Sequence, residues 1–294
     1  MTKEFPIPVR AIGPGSQDED SDLVYMHMPQ SMNTFHTPAL PEPEDVAGRA
    51  AAKAALRAVY AALQATRADG VNRSVPLDHL AEPDRQLLNT LLGEGEVSAL
   101  AAWDDDAQHP QRSEIRIQES VFAGVWRVIR SADGVALSDA VEVGSIPRIL
   151  EDLAAQDANQ EMARWNGPLP PNVQNAPMLL TEIEDQFRHW QPGQPTHVIN
   201  LTLLPMSPED IGFMDHHLGT GRVLILSRGY GNCRITNARV PNTWRVVYYN
   251  SQDAVILNTV EIGALPEVAR AAREDLDDSC ERLREVLDWV ETGH

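Results

Sequence analysis

The stretch LGTGRVLILSRGYGNCRITNARVPNTWRVVYYNSQDAVILNTVEIG, residues 218–263, decides the fold. It opens on a glycine pair, Gly219 and Gly221, and then carries four runs rich in β-branched and aromatic residues: Arg222–Leu226, Cys233–Thr236, Trp244–Tyr249 and Ala254–Glu261. Such residues favour strands. Pro241-Asn242 and Asn250–Asp253 separate the later runs as turns. Short runs joined by turns make a meander, and a meander is antiparallel.

The same pattern occurs earlier in the chain. LLGEGEV (91–97), RIQESVFAGVWRV (116–128) and VEVGSIPRI (141–149) parallel HLGTGRV (217–223), RITNARVPNTWRV (234–246) and VEIGALPEV (260–268). Gly93 and Gly95 align with Gly219 and Gly221, Arg116 with Arg234, Trp126 with Trp244, and Glu142, Gly144 and Pro147 with Glu261, Gly263 and Pro266. The offset is 126 at the first glycine, 118 at the tryptophan and 119 at the closing glutamate, so the first copy has a hairpin longer by about eight residues near Asp104 to Gln111. Paired glycines, a tryptophan and an E-x-G-x-x-P ending in one order mark an internal duplication.

Each copy adds helices around its meander. One starts near Pro83 or Pro208 and stops at Gly93 or Gly219. Ser207, just before Pro208, suits an N-cap. Another begins at Pro147 or Pro266. Leu56, Val59, Tyr60 and Leu63 predict a helix over 46–68, and Leu179, Ile183, Phe187 and Trp190 predict one after the Pro- and Asn-rich linker 167–176. Alternation of Ile199, Leu201 and Leu203 predicts a strand. The expected class is therefore α+β: two repeated units of helix, four-stranded antiparallel meander and helix. The division reads as an acidic, Pro-rich arm over 1–45, a first unit over 46–165 and a second over 166–294. The last helix carries Ala269, Ala272, Leu276, Cys280, Leu283, Leu287 and Val290 at spacings of three and four. That stripe packs on its own domain or forms a homodimer seam.

Composition excludes several functions. The 294 residues include 24 Lys and Arg against 43 Asp and Glu, a net charge of −19. Such a chain repels phosphate backbones and anionic lipid, which argues against nucleic-acid binding and membrane docking. No apolar run reaches the roughly 20 residues of a membrane helix, and the N-terminus lacks a signal-peptide core. A cytoplasmic location is expected. Two cysteines, Cys233 and Cys280, cannot supply an all-cysteine metal cluster within one chain.

No catalytic constellation stands out. G-x-S-x-G is absent, and Gly93/Gly95 and Gly219/Gly221 lead into β runs rather than a phosphate-binding helix. His216 and His217 are adjacent, and His27 lies between Met26 and Met28, but no metal-binding spacing occurs. No metal, cofactor or catalytic residue is assigned. Two segments invite recognition. In the arm, Met28, Met32 and Phe35 lie between prolines, either to pack on the domain or to meet a partner. At the hairpin 226–235, Arg228, Gly229, Tyr230, Gly231, Asn232, Cys233 and Arg234 crowd one tip. The glycines can simply make a tight turn. Alternatively Arg228, Tyr230 and Cys233 are exposed for recognition, with Arg228, Arg234 and Arg239 favouring a thiolate at Cys233.

The 218–263 stretch, and RGYGNCRI within it, resembles the hydrogenase expression/formation proteins of the HupH type, also called HoxQ or HyaF. MPQSMNTFHTPALPEPE in the arm is similar to that family's N-terminal motif. The resemblance implies a cytoplasmic, non-enzymatic accessory protein of NiFe-hydrogenase maturation. It implies a chaperone for the iron–sulfur small subunit precursor before twin-arginine export, working with a thioredoxin-like accessory protein. The acidic surface would then suit a basic export signal, and the 228–234 tip would touch the client. An alternative is an iron–sulfur or redox-handling protein in which Cys233 thiolates meet across a dimer.

Overall fold

The computed structural model describes residues 41–104, 112–159, 161–229 and 231–292. In chain order the elements are α1 (Pro43–Val46), α2 (Ala50–Asp69), β1 (Arg73–Pro76), α3 (Glu82–Leu92), β2 (Val97–Asp104), β3 (Arg112–Glu119), β4 (Val125–Ala132), β5 (Val135–Val143) and α4 (Arg148–Asp157). The second series is α5 (Ala176–His189), β6 (His197–Asn200), α6 (Pro208–Leu218), β7 (Val223–Ser227), β8 (Asn232–Asn237), β9 (Thr243–Tyr249), β10 (Val255–Ile262) and α7 (Arg273–Thr292). The class is α+β, and every strand pairing described is antiparallel.

Two compact units form, and neither is one continuous stretch. The first takes the described residues up to 153, together with 222–229 and 267–292; the second takes those of 154–221 and 231–266. The first unit thus differs from a linear cut at 165/166. It includes β7 and α7, which the repeat alignment assigns to the second copy. β7 pairs with β2 from Val97↔Ser227 to Ala101↔Val223. Its alternate residues Val223 and Ile225 are buried, as are Ala99 and Ala101 opposite.

In the first unit the strands run in the order β1, β5, β4, β3, β2, β7. The core joins Leu56, Val59 and Leu63 of α2, Leu88 and Leu91 of α3, Val141 and Val143 of β5, and Leu276, Cys280 and Leu283 of α7. The α7 stripe is therefore consumed inside the unit against α2, which corrects its reading as a homodimer seam. Lys53 Nζ donates to the Val290 carbonyl at 2.7 Å along the same contact. The helix also starts later than Pro266: a 3-10 turn over Glu267–Ala269 intervenes before Arg273.

In the second unit the order is β8, β9, β10, β6. Its core gathers Ile183 and Phe187 of α5, Phe213, Met214 and Leu218 of α6, and Ile199, Val260 and Ile262 of the sheet. The predicted strand through Leu203 stops at Asn200. The Asn200 side chain accepts from the Thr202 N–H at 3.0 Å and turns Leu201–Leu203 into a 3-10 turn. Each unit also gains a short outer strand: β1 on β5, and β6 on β10. Only the second of these was expected, because Arg73–Pro76 has too few apolar residues to announce itself.

Candidate functional site

The duplicated glycines and tryptophans build scaffold. Gly93 (φ 60°) and Gly219 (φ 65°) end α3 and α6 in the left-handed region that glycine tolerates. The Gly95 N–H donates to the Glu119 carbonyl at 2.7 Å, and the Gly221 N–H to the Asn237 carbonyl at 2.8 Å. A Cβ at Gly95 would lie 2.2 Å from the Ser120 oxygen, and one at Gly221 2.1 Å from the Asn237 amide. Both positions therefore need glycine for close approach. Trp126 is fully buried and donates from Nε1 to the Gly144 carbonyl at 2.9 Å; Trp244 is buried in the second unit.

The capping prediction at the second helix holds. Ser207 Oγ accepts from the Asp210 N–H at 2.9 Å, and Asp210 Oδ2 accepts from the Ser207 N–H at 3.2 Å. Asp210 Oδ1 also accepts three successive N–H groups, of Gln174, Asn175 and Ala176, at 2.8–2.9 Å. Burial opposes the charge, but these donors outweigh it and hold the carboxyl below the usual range. The residue is a clasp between the linker and α6.

The 228–234 tip does not present the expected thiolate. The Arg228 N–H donates to the Glu96 carbonyl at 3.1 Å, and Gly229 lies against the Glu96 side chain. Both belong to the first unit, whereas Gly231 to Arg234 belong to the second. Gly231 is exposed at φ 103°, Asn232 is half-buried, and Arg234 is exposed. Tyr230 lies outside the described residues, as do Met28, Met32 and Phe35.

Cys233 corrects the sequence reading. It is 1 % exposed and lies opposite Tyr248 on β9. Strand alternation sends Arg234 to the other face. Burial pushes the Cys233 thiol up to about 12, with the Tyr248 hydroxyl as its side-chain partner. The neighbouring arginines do not produce a thiolate, and the exposed sulfur that a shared cluster requires is not there. Cys280 is buried in the α7 stripe. His217 is likewise structural: its Nδ1 lies 2.7 Å from the Phe213 carbonyl, and burial lowers its pKa.

Sequence reasoning missed a cavity on the second unit, lined by both apolar and charged residues. It has a volume of about 210 Å³ and lies against β8, β9, β10 and the end of α6. Its lining includes Asp215, Arg234, Arg245, Val247, Tyr249 and Asn258. The signal was available in the duplication. Arg245 corresponds to Arg127, but Asn258 stands where Asp139 stands, and Asp215 where Asn89 stands. The registers confirm the correspondence: Ile129↔Asp139 and Arg127↔Val141 match Val247↔Asn258 and Arg245↔Val260. The acidic group has moved from strand to helix between copies.

Comparison with known proteins covers both copies. Residues 50–167 and 173–290 each match the family described as HupH hydrogenase expression protein, C-terminal conserved region. The chain is 53% identical over 289 residues to the hydrogenase expression/formation protein HoxQ of Cupriavidus necator, covering 97% of this chain and 98% of the other. It is 42% identical over 294 residues to HupH of Rhodobacter capsulatus, covering 99% and 100%. To the hydrogenase-1 operon protein HyaF of Escherichia coli it is 33% identical over 281 residues, with 95% of each chain covered.

Proposed function

The chain belongs to the HupH family of hydrogenase expression proteins, and from that membership we propose that it is a non-catalytic, chaperone-like accessory protein of NiFe-hydrogenase maturation. In this reading it binds the iron–sulfur small subunit precursor in the cytoplasm before export, alongside a thioredoxin-like accessory protein. The observation that carries the reading is the family match across both copies. Its relatives share nearly the whole length under names that refer to hydrogenase expression or formation. Among the described residues, no helix is long and apolar enough to cross a membrane.

The physical chemistry is compatible with a client of this kind. A net charge of −19 attracts a basic, twin-arginine-bearing segment and weakens with salt. The half-buried Arg228 and exposed Arg234 are proposed to touch the client together with Gly229, Tyr230, Gly231 and Asn232. Met28, Met32 and Phe35 are proposed to cover an apolar client surface, since methionine adapts to irregular shapes. Cys233 leaves this set, because its side chain is buried.

Co-purification with the cognate small subunit, with and without its signal peptide and at two salt concentrations, tests the reading. Retention of the precursor alone, weakened by salt, is the outcome expected from recognition of the basic signal. Retention of both forms places the contact on the body of the subunit. Retention of neither overturns direct chaperoning.

A further inference from the structure

The cavity of the second unit is lined by two residues that each carry a buried polar atom without a hydrogen-bond partner among the described residues. Arg245 is 16% exposed at its side chain. Its Nη1 is buried and has no hydrogen-bond partner among the described residues, and the same is true of Asn258 Oδ1. The carboxylate facing the guanidinium is Asp215, on α6, whose Oδ1 lies 3.7 Å from Nη1. That distance allows attraction but exceeds a hydrogen bond. A buried guanidinium left short of acceptors is costly, and burial does lower the Arg245 pKa despite Asp215.

The first unit shows what is missing. There Arg127 makes a two-pronged contact with Asp139: Nε to Oδ1, and Nη2 to Oδ2 at 2.5 Å. Asn89 completes the set by accepting from Nη1. The second unit keeps the arginine at the equivalent strand position and places an amide, Asn258, where the carboxylate was. A cavity opens beside it.

We propose that this cavity is a binding site for a carboxylate group, which lies against Arg245 of the second unit as Asp139 lies against Arg127 in the first. The guanidinium fork matches a carboxylate in shape and charge. The Asn258 amide, turned by half a rotation, offers Nδ2 as a further donor. Exposed Arg234 adds a second cation to the lining, while Val247 and Tyr249 supply wall for a short carbon chain. The chain's net charge of −19 opposes anions at a distance. Salt screens that repulsion beyond about 8 Å at physiological ionic strength and leaves contacts inside the cavity largely intact. The carboxylate has two sources: a free small acid, or an acidic side chain of a polypeptide. This inference stands whatever the identity of the hydrogenase client.

Calorimetric titration of the full chain tests it, at physiological salt. Glutarate and a blocked Ala-Glu-Ala peptide are the probes; glutaramide and the corresponding Gln peptide are the neutral controls. Both acids are expected to bind and the neutral pair not. Tighter binding of the peptide assigns the site to a polypeptide, and tighter binding of glutarate to a free acid. Arg245→Gln is expected to weaken binding about tenfold or more, the loss of a charged hydrogen-bond pair. Asn258→Asp rebuilds the internal pair of the first unit. It is expected to weaken binding to a similar degree while raising Tm by about 2 °C or more, and it keeps the test decisive if Arg245→Gln does not fold. Absence of binding by both acids at about 10 mM, a level that detects even millimolar affinity, overturns the proposal. So does equal binding of the neutral controls, or binding unchanged in Asn258→Asp.

Discussion

Asp139 and Asn258 occupy one position of the duplicated sheet, and Asp139 closes a two-pronged ion pair with the arginine across the hairpin whereas Asn258 leaves its arginine without that partner. Asp139 is also tied into the first unit from other directions. Its N–H donates to Asp78 Oδ1 at 2.8 Å, its carbonyl accepts from the Leu77 N–H at 2.8 Å, and Arg85 Nη1 lies 3.5 Å from Oδ2. The two copies have thus diverged at one arginine, one toward rigidity and one toward an open cavity.

Removing the first-unit partner should expose that difference. Asp139→Ala leaves Arg127, with a side chain only 13% exposed, as a nearly buried and uncompensated charge. The expected loss is about 3–5 kcal/mol in a urea titration. Asn258→Ala removes no described partner of Arg245 and should cost less than about 1 kcal/mol. Equal losses at the two sites would show that the Arg127–Asp139 pair does not anchor the first unit.

Glu119 gives a pH dependence of known sign. Burial raises its carboxyl to about 7, against the opposing donation of the Gly124 and Val97 N–H groups. The neutral form is therefore favoured by folding. Its stabilising contribution is complete below the unfolded value near 4.5 and is lost as pH rises through about 7. The full swing is on the order of 3 kcal/mol. Glu119→Gln should flatten the decline in stability between pH 5 and pH 8 relative to the parent chain. An unchanged slope would show that the carboxyl titrates normally.

Asp210 behaves in the opposite sense. Its folded pKa is lowered, so its contribution is present above the ordinary carboxylate value and is lost as pH falls through the folded value. Asp210→Ala frees one side of the capping box and three linker N–H groups, and should cost about 2–3 kcal/mol at pH 7. The difference from the parent should shrink progressively in unfolding curves taken as pH falls below the ordinary carboxylate value. A loss that does not shrink there would assign the effect to packing instead of charge.

The cysteines should be inert in the folded protein. Cys233 is buried with its thiol raised to about 12, and Cys280 is buried in the α7 stripe. A thiol reagent at pH 7.5 should modify neither until denaturant is added, because the thiolate is the reacting species. Cys233→Ser should leave client retention unchanged, whereas Arg228→Ala with Arg234→Ala, which removes the two proposed contacts, should weaken it. Rapid labelling of Cys233 in the native chain would restore the exposed tip thiol.

The duplication, the antiparallel meander and the glycine stops were legible because they are local. Alternating apolar residues, a Ser207–Asp210 cap and paired Gly-x-Gly steps each act within a few neighbours. Even the burial of Cys233 was present in outline, since Cys233 and Ile235 share one strand face while Arg234 and Thr236 share the other. The reading of Cys233 as an exposed thiolate failed because it weighed residue types and ignored that alternation. The cavity was written in the repeat as well, as the exchange of Asp139 and Asn89 for Asn258 and Asp215, but a substitution becomes a site only when the side chains meet.

By itself the sequence determined that this chain repeats one α+β unit, where its helices stop, and to which family it belongs. Those properties follow from local conformational preference and from residue order. Tertiary structure alone decided that β7 pairs with β2, that α7 spends its apolar stripe on α2, and that Arg245 lacks the partner Arg127 has. Strand edges and apolar stripes are generic adhesive surfaces. Which ones meet is settled by the burial they achieve together, and that sum is taken over residues far apart in the chain.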